Sequence, residues 1–403
     1  MKAIALLGLM AGIIACGDST GPNARAASVT GFAGDSQEAP IGGAFEFPIT
    51  FVTLDANGQP IENVHVSWTV TPVGGATFDP PTSISNANGQ VTTTVTAGMV
   101  AQEITIHATV PGVSSPVDFS ALILDPCLYV RGMVVNQTIN GALSSLDCKV
   151  GSPGWFYDFY AFALPTGQQS IRITMNSADF DTYLDFFRAD GRYEAFDDDV
   201  ILGQVQNSQL DIILPGDVYI IGANSFDTAT TGGYSLTLAN RPAAMNGCRQ
   251  VWVVNGVSVA DSITAADCSD GALMPGRYDV ARIWLTDSST LTVAQRSPTI
   301  NPNLALYQIV GGNVVNGNYP RVLVASNDDS TTGNPTAFIS YSVPLNADGP
   351  YDLIIGTSSA TETGAYTFDV STAPAPSSRA AAPLMSARNW WRSAGASLKR
   401  SKL

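Results

Sequence analysis

The chain has 403 residues, which at ~100 to 200 residues per domain predicts two to four domains. Lys and Arg number 19 against 34 Asp and Glu, and between residues 17 and 378 twelve cations face all 34 anions, a net of −22. A body that acidic repels phosphate backbones, whose recognition depends on Lys and Arg, so nucleic-acid binding is excluded as the main role. Charged residues at 13%, where ordinary domains carry ~25%, exclude long charged helices.

Met1-Lys2 and the apolar run from Ala3 to Ala15 form a positive start and a core too short to stay in a membrane as a spanning helix, the pattern of a secretion signal. The run ends in Ile13-Ile14-Ala15-Cys16-Gly17, which resembles the bacterial lipobox. The resemblance implies removal of residues 1–15, lipid attachment at Cys16 and a polar linker over 16–27. Acyl chains there would make the membrane a partner, at ~0.8 kcal/mol per buried methylene. Gly17 stands where inner-membrane lipoproteins carry Asp, so the expected address is the outer membrane of the cell envelope.

Residues 28–124 alternate apolar and polar residues in short runs. Val64, Val66, Trp68 and Val70 share one face of a strand, and the same period recurs at Phe45–Phe51, Val91–Val95, Ile104–Ala108 and Val117–Ala121. Asp55-Ala56-Asn57-Gly58-Gln59-Pro60 and Asn86-Ala87-Asn88-Gly89-Gln90 supply turns. Short strands around a buried Trp predict a sandwich. These turns and the Val-x-Val-x-Trp strand resemble the bacterial immunoglobulin-like domain of the invasin and intimin group, which implies a spacer or adhesion stalk.

The next two segments, 127–240 and 245–372, are copies of one repeat. Cys127 and Cys148 are 21 apart, Cys248 and Cys268 20 apart, and Tyr157-Asp158 recurs as Tyr278-Asp279; a fixed offset marks duplication. Asp181-Thr182-Tyr183-Leu184 aligns with Asn301-Pro302-Asn303-Leu304, and the copies close on Gly232-Gly233-Tyr234 and Gly364-Ala365-Tyr366. An insertion around Val310 to Arg321 lengthens the second copy. These positions resemble the bacterial pre-peptidase C-terminal domain, a jelly-roll-like β-sandwich, which implies matrix or substrate binding and, in some relatives, calcium. The expected fold class is therefore all-β, an immunoglobulin-like sandwich followed by two jelly-roll-like β-sandwiches. Four cysteines permit three pairings; copies that fold as units require Cys127 with Cys148 and Cys248 with Cys268, in an oxidising compartment.

Catalytic chemistry has little to stand on. His65 and His107 fall on outward strand positions, neither repeat contains His, and no GxSxG, HExxH or Walker motif occurs. No cofactor is required. Asp179, Asp181, Asp197, Asp198 and Asp199 are the calcium candidates, because calcium takes six to eight oxygens, although Asp also serves turns. After a Pro/Ala/Ser linker, Leu384, Ala387, Trp391, Ala394 and Leu398 fall at helical spacings with Arg388, Arg392, Lys399 and Arg400 among the other positions, the pattern of a membrane-surface helix; the alternative is a frayed, solvated tail. The expected function is a non-enzymatic, lipid-anchored surface protein whose modules bind polysaccharide or protein matrix; the alternative is an accessory subunit that targets a separate secreted hydrolase.

Overall fold

Period-two alternation buries one side of the longer strands, and residues 28–124 contain nine strands in all. In the computed structural model, which describes residues 24–199, 206–245, 248–269, 271, 273–310, 320–328 and 336–373, these are β1 (Ser28–Ala33), β2 (Gln37–Pro40), β3 (Ile49–Leu54), β4 (His65–Thr71), β5 (Ala76–Asp79), β6 (Thr82–Ile84), β7 (Gln90–Ala97), β8 (Gln102–Thr109) and β9 (Val117–Leu124). Sheets β1-β3-β7-β5 and β2-β9-β8-β4-β6 close on one core containing Phe51, Val66, Trp68, Val91, Ile106 and Phe119. The Trp68 ring lies 5.9 Å from that of Phe51, and its Nε1 donates to Ser83 Oγ at 2.9 Å. The signal, Cys16 and the basic tail lie outside the described residues.

The strand expected over Phe45–Phe51 begins only at Ile49. Gln37 intervenes: its Nε2 donates to Phe47 O at 2.9 Å and its Oε1 accepts from Phe47 N at 2.7 Å. The Phe47 backbone is thus held by a side chain instead of a neighbouring strand, and its ring faces outward, 57% exposed. The two turns of similar sequence adopt one geometry. Asp55 Oδ1 accepts from Asn57 N and Gln59 N, and Asn86 Oδ1 accepts from Asn88 N and Gln90 N. Asp and Asn are interchangeable there because only the acceptor oxygen is used, while Gly58 and Gly89 supply φ of 76° and 70°.

The first repeat contains β10 (Val130–Gly132), β11 (Gln137–Leu143), β12 (Cys148–Gly151), β13 (Gly154–Ala163), β14 (Gln168–Asn176), β15 (Thr182–Arg188), β16 (Tyr193–Asp197), β17 (Ser208–Pro215), β18 (Val218–Ser225) and β19 (Gly232–Asn240). The second contains β20 (Val251–Val253), β21 (Ser258–Ile263), β22 (Tyr278–Leu285), β23 (Thr290–Arg296), β24 (Pro302–Ile309), β25 (Arg321–Asn327), β26 (Thr336–Ser342), β27 (Gly349–Thr357) and β28 (Gly364–Ala373). Copy one runs β10-β13-β18-β15-β16, with β12 on β13, against β11-β19-β14-β17; copy two runs β20-β22-β27-β24-β25 against β21-β28-β23-β26. The strand orders are the same, and the insertion falls between β24 and β25. The Tyr-Asp and Gly-x-Tyr marks prove to be one contact: Tyr234 Oη donates to Asp158 Oδ2 at 2.5 Å, and Tyr366 Oη to Asp279 Oδ2 at 2.8 Å.

The copies are not separate bodies. The chain divides into two compact units, one ending at Tyr129 and one starting at Val130, so both repeats fall in the second. Strand β20 pairs parallel with β17, Ile212 opposite Trp252, and also with β22. That fuses the four-stranded sheet of copy one to the five-stranded sheet of copy two in a nine-stranded whole. The cores interlock across the seam. Trp252 and Val254 lie in the core of copy one, and Ile213 in the core of copy two.

Candidate functional site

On copy two the sheet β21-β28-β23-β26 carries a cleft of about 760 Å³. Register builds its floor: Ala260 is opposite Thr367, Thr367 opposite Arg296, and Arg296 opposite Thr336, a row crossing four strands. Ser262 and Ala365 form the next row, and Ser297 and Pro298 also line the cleft. Small side chains at outward positions make the trough, because side chains of a sheet otherwise stand perpendicular to it and fill such a space. Out of the floor rises Arg296, paired with Asp369. The Ser258 hydroxyl, with Arg296, holds the Asp369 carboxyl below the usual carboxylate range. The cleft therefore offers a neutralised guanidinium and carboxylate, hydroxyl groups, and a largely apolar floor. Phe338, 45% exposed, lies on β26 opposite Ala294, next to this row.

The residues marked by sequence go elsewhere. Cys248 and Cys268 are disulfide-bonded to each other, Cα atoms 5.0 Å apart, and Cys127 and Cys148 are each disulfide-bonded too. Asp179 Oδ2 accepts from Gly233 N at 2.7 Å, closing β19 onto the turn after β14. Asp197 Oδ2 accepts from Gln209 N at 2.7 Å, and burial pushes its carboxyl well above the ordinary range. Asp181 N-terminal to β15, and Asp198 and Asp199 after β16, complete the five. Among the described residues no group of three or more His, Cys, Asp or Glu is placed to hold a metal ion, so the structure does not gather the five into one ligand set. The cleft was missed because alanine, serine and threonine on alternate positions carry no chemical signal; only the small outward residues of 258–262 and 364–367 would have pointed to it.

His107 is more engaged than its outward position suggested. Its Nδ1 meets Asp118 Oδ1 at 2.7 Å and its Nε2 meets Thr71 Oγ1 at 3.0 Å. Hydroxyl, imidazole and carboxylate are in series, but on outward positions of β4, β8 and β9, with the Asp118 side chain 59% exposed. Activation of a hydroxyl depends on a water-excluded setting, which an open sheet face does not supply.

Among solved structures, the pre-peptidase C-terminal domain of collagenase from Bacillus anthracis is similar at 17% identity, covering 27% of this chain and 94% of that one, with a TM-score of 0.22. The D0-D1 domain of intimin is similar at 14% identity, covering 52% and 95%, with a TM-score of 0.21. Invasin, a bacterial integrin-binding protein, is similar at 11% identity, covering 86% and 60%, with a TM-score of 0.20. No curated protein matches the chain. Residues 30–121 match the model of the bacterial Ig-like domain (group 1), and with that segment the chain carries a bacterial Ig-like domain ahead of its paired sandwiches.

Proposed function

We propose that the chain is a non-catalytic cell-envelope protein, held to the outer membrane by lipid on Cys16, whose second repeat binds neutral extracellular polysaccharide along the cleft over β21, β28, β23 and β26. The observation that carries this reading is the floor row Ala260, Thr367, Arg296 and Thr336. A trough across four strands suits an extended chain, and the Arg296–Asp369 pair offers donors and acceptors together, as sugar hydroxyls require. Charge selects against polyanions, since Arg296 is already paired and the body of the chain is strongly acidic.

Calorimetric titration of the full chain with neutral and acidic polysaccharides tests it. Binding of a neutral polymer is expected, with affinity falling about tenfold, ~1.4 kcal/mol, in Arg296→Ala, and lost when Ala260→Trp fills the trough. Melting should barely move in Arg296→Ala, because exposed ion pairs contribute ~0–1 kcal/mol. Neutral polymer binding that survives Ala260→Trp, or no binding at all, overturns the assignment.

A further inference from the structure

The seam between the repeats uses one edge from each copy, and among the described residues no strand pairs with the corresponding other edge of each copy. In copy one, β17 is taken by β20; its counterpart in copy two, β26, is the last strand of its sheet. In copy two, β20 is taken by β17; among the described residues its counterpart β10 pairs with β13 alone. Burial follows the pairing. All three residues of β20 are buried, whereas Arg131 and Gly132 of β10 are exposed. Asp211 and Ile213 of β17 are buried, whereas Ser340 and Ser342, which register places at the same positions of β26, are exposed.

Side chains flanking the seam repeat the pattern. Across it, Tyr193 packs on Trp284 with ring centroids 4.5 Å apart. The residue of copy two at the place of Tyr193 is Leu323, opposite Tyr307 as Tyr193 is opposite Phe187, and Leu323 is 51% exposed. The residue of copy one at the place of Trp284 is Ala163, which is exposed beside Val218, itself 42% exposed. Among the described residues each end thus presents a strand edge with exposed apolar side chains beside it, with Phe338 N of β26 donating to Asn327 Oδ1 and Gly132 standing where Trp252 fills the internal seam.

We infer that a second copy of this chain docks here, its β10 adding parallel to β26 so that Leu323 covers Ala163 and Val218, and that the chains associate head to tail. Such a contact is heterologous, so addition continues instead of closing at a dimer. Serine at 340 and 342 replaces the buried Asp211 and Ile213 of the internal seam, which makes the association weaker than that seam and reversible.

Sedimentation of the full chain across a concentration range reads this out. Mass should rise with concentration beyond two chains. Leu323→Glu disables the tail end. Gly132→Pro disables the head end: Met133 N donates inward to Ala161 O, so the alternate Gly132 N–H faces the open edge, where proline is tolerated in a folded strand, and a Cβ at Gly132 meets nothing within 4 Å. Val218→Glu, on the same end, serves if Gly132→Pro fails to fold. Each variant alone should be monomeric, and a mixture of the Leu323→Glu and Gly132→Pro chains should form dimers that grow no further, because one intact edge of each kind remains. A wild-type chain that stays monomeric, or assemblies that these variants leave intact, overturns the inference; so does a wild-type dimer that stops at two.

Discussion

Asp147 and Asp158 are carboxylates whose surroundings oppose their charge. Burial, and then the neighbouring Asp158, push the Asp147 carboxyl up to about 6, against the opposing hydrogen bonds from Ser144. Burial likewise raises Asp158, which Tyr234 partly restores. A folded-state value above the unfolded one means that the native protein holds the Asp147 proton when the unfolded chain has released it. Stability is then present below the unfolded value and is lost as pH rises from ~4 through ~6. Melting temperature should fall over that window, and Asp147→Asn, which keeps an acceptor for Ser144 N, should flatten the slope and raise the melting temperature at neutral pH. Equal slopes in both proteins would show that Asp147 is not the group responsible. Asp352 shows the opposite balance. Burial works against its charge too, but Arg282, at 2.7 Å, and Arg321 hold the carboxyl below its usual range.

At the scale of the element, the disulfide Cys248–Cys268 closes a 20-residue separation that contains β20 and β21. The chain-entropy model assigns a loop of that size ~3 kcal/mol. The double variant Cys248→Ser with Cys268→Ser should lose about that much in denaturant titration, with its first effect on the seam that β20 forms; a loss near zero would show that the seam holds β20 without it. Strands β4, β7, β8 and β9 were legible because they have one wet face, so alternation marks both period and direction, as for Val64, Val66 and Trp68; β1, which buries no residue, and the short β2, β5 and β6 were not. The repeat was legible from cysteine offsets and the Tyr-Asp marks. Strand β20 was not. Val251-Trp252-Val253-Val254 is apolar without alternation because both faces are buried, and such a run does not distinguish a strand from a linker. The contact of Tyr234 with Asp158 was equally hidden, since residues 76 apart in sequence reveal a repeat and not an approach. For the candidate site, the carboxylates stood out by type, yet Asp179 and Asp197 are engaged by backbone amides, whereas the cleft is defined by side chains too small to be noticed.

At the scale of the molecule, the seam makes the two repeats one thermodynamic object. Trp252, 2% exposed, belongs to the chain of copy two but sits in the core of copy one, with its ring 5.6 Å from that of Phe196 and beneath Arg282 at 5.8 Å. Arg282 in turn pairs with Asp352, which is fully buried in copy two. A single side chain therefore links the hydrophobic core of one copy to the buried ion pair of the other, and Ile213 makes the reverse crossing. Neither copy can unfold without exposing apolar surface of its neighbour, so calorimetry of the full chain should resolve two transitions, one for the Ig-like unit and one shared by both repeats, in place of three. Truncating a buried aromatic costs ~3–5 kcal/mol, and in Trp252→Ala that loss should lower the shared transition as one event, while the Ig-like transition keeps its midpoint. Three independent transitions in the unmodified chain, or a Trp252→Ala chain in which only one repeat is weakened and the other melts as before, would mean that the continuous sheet does not couple the copies.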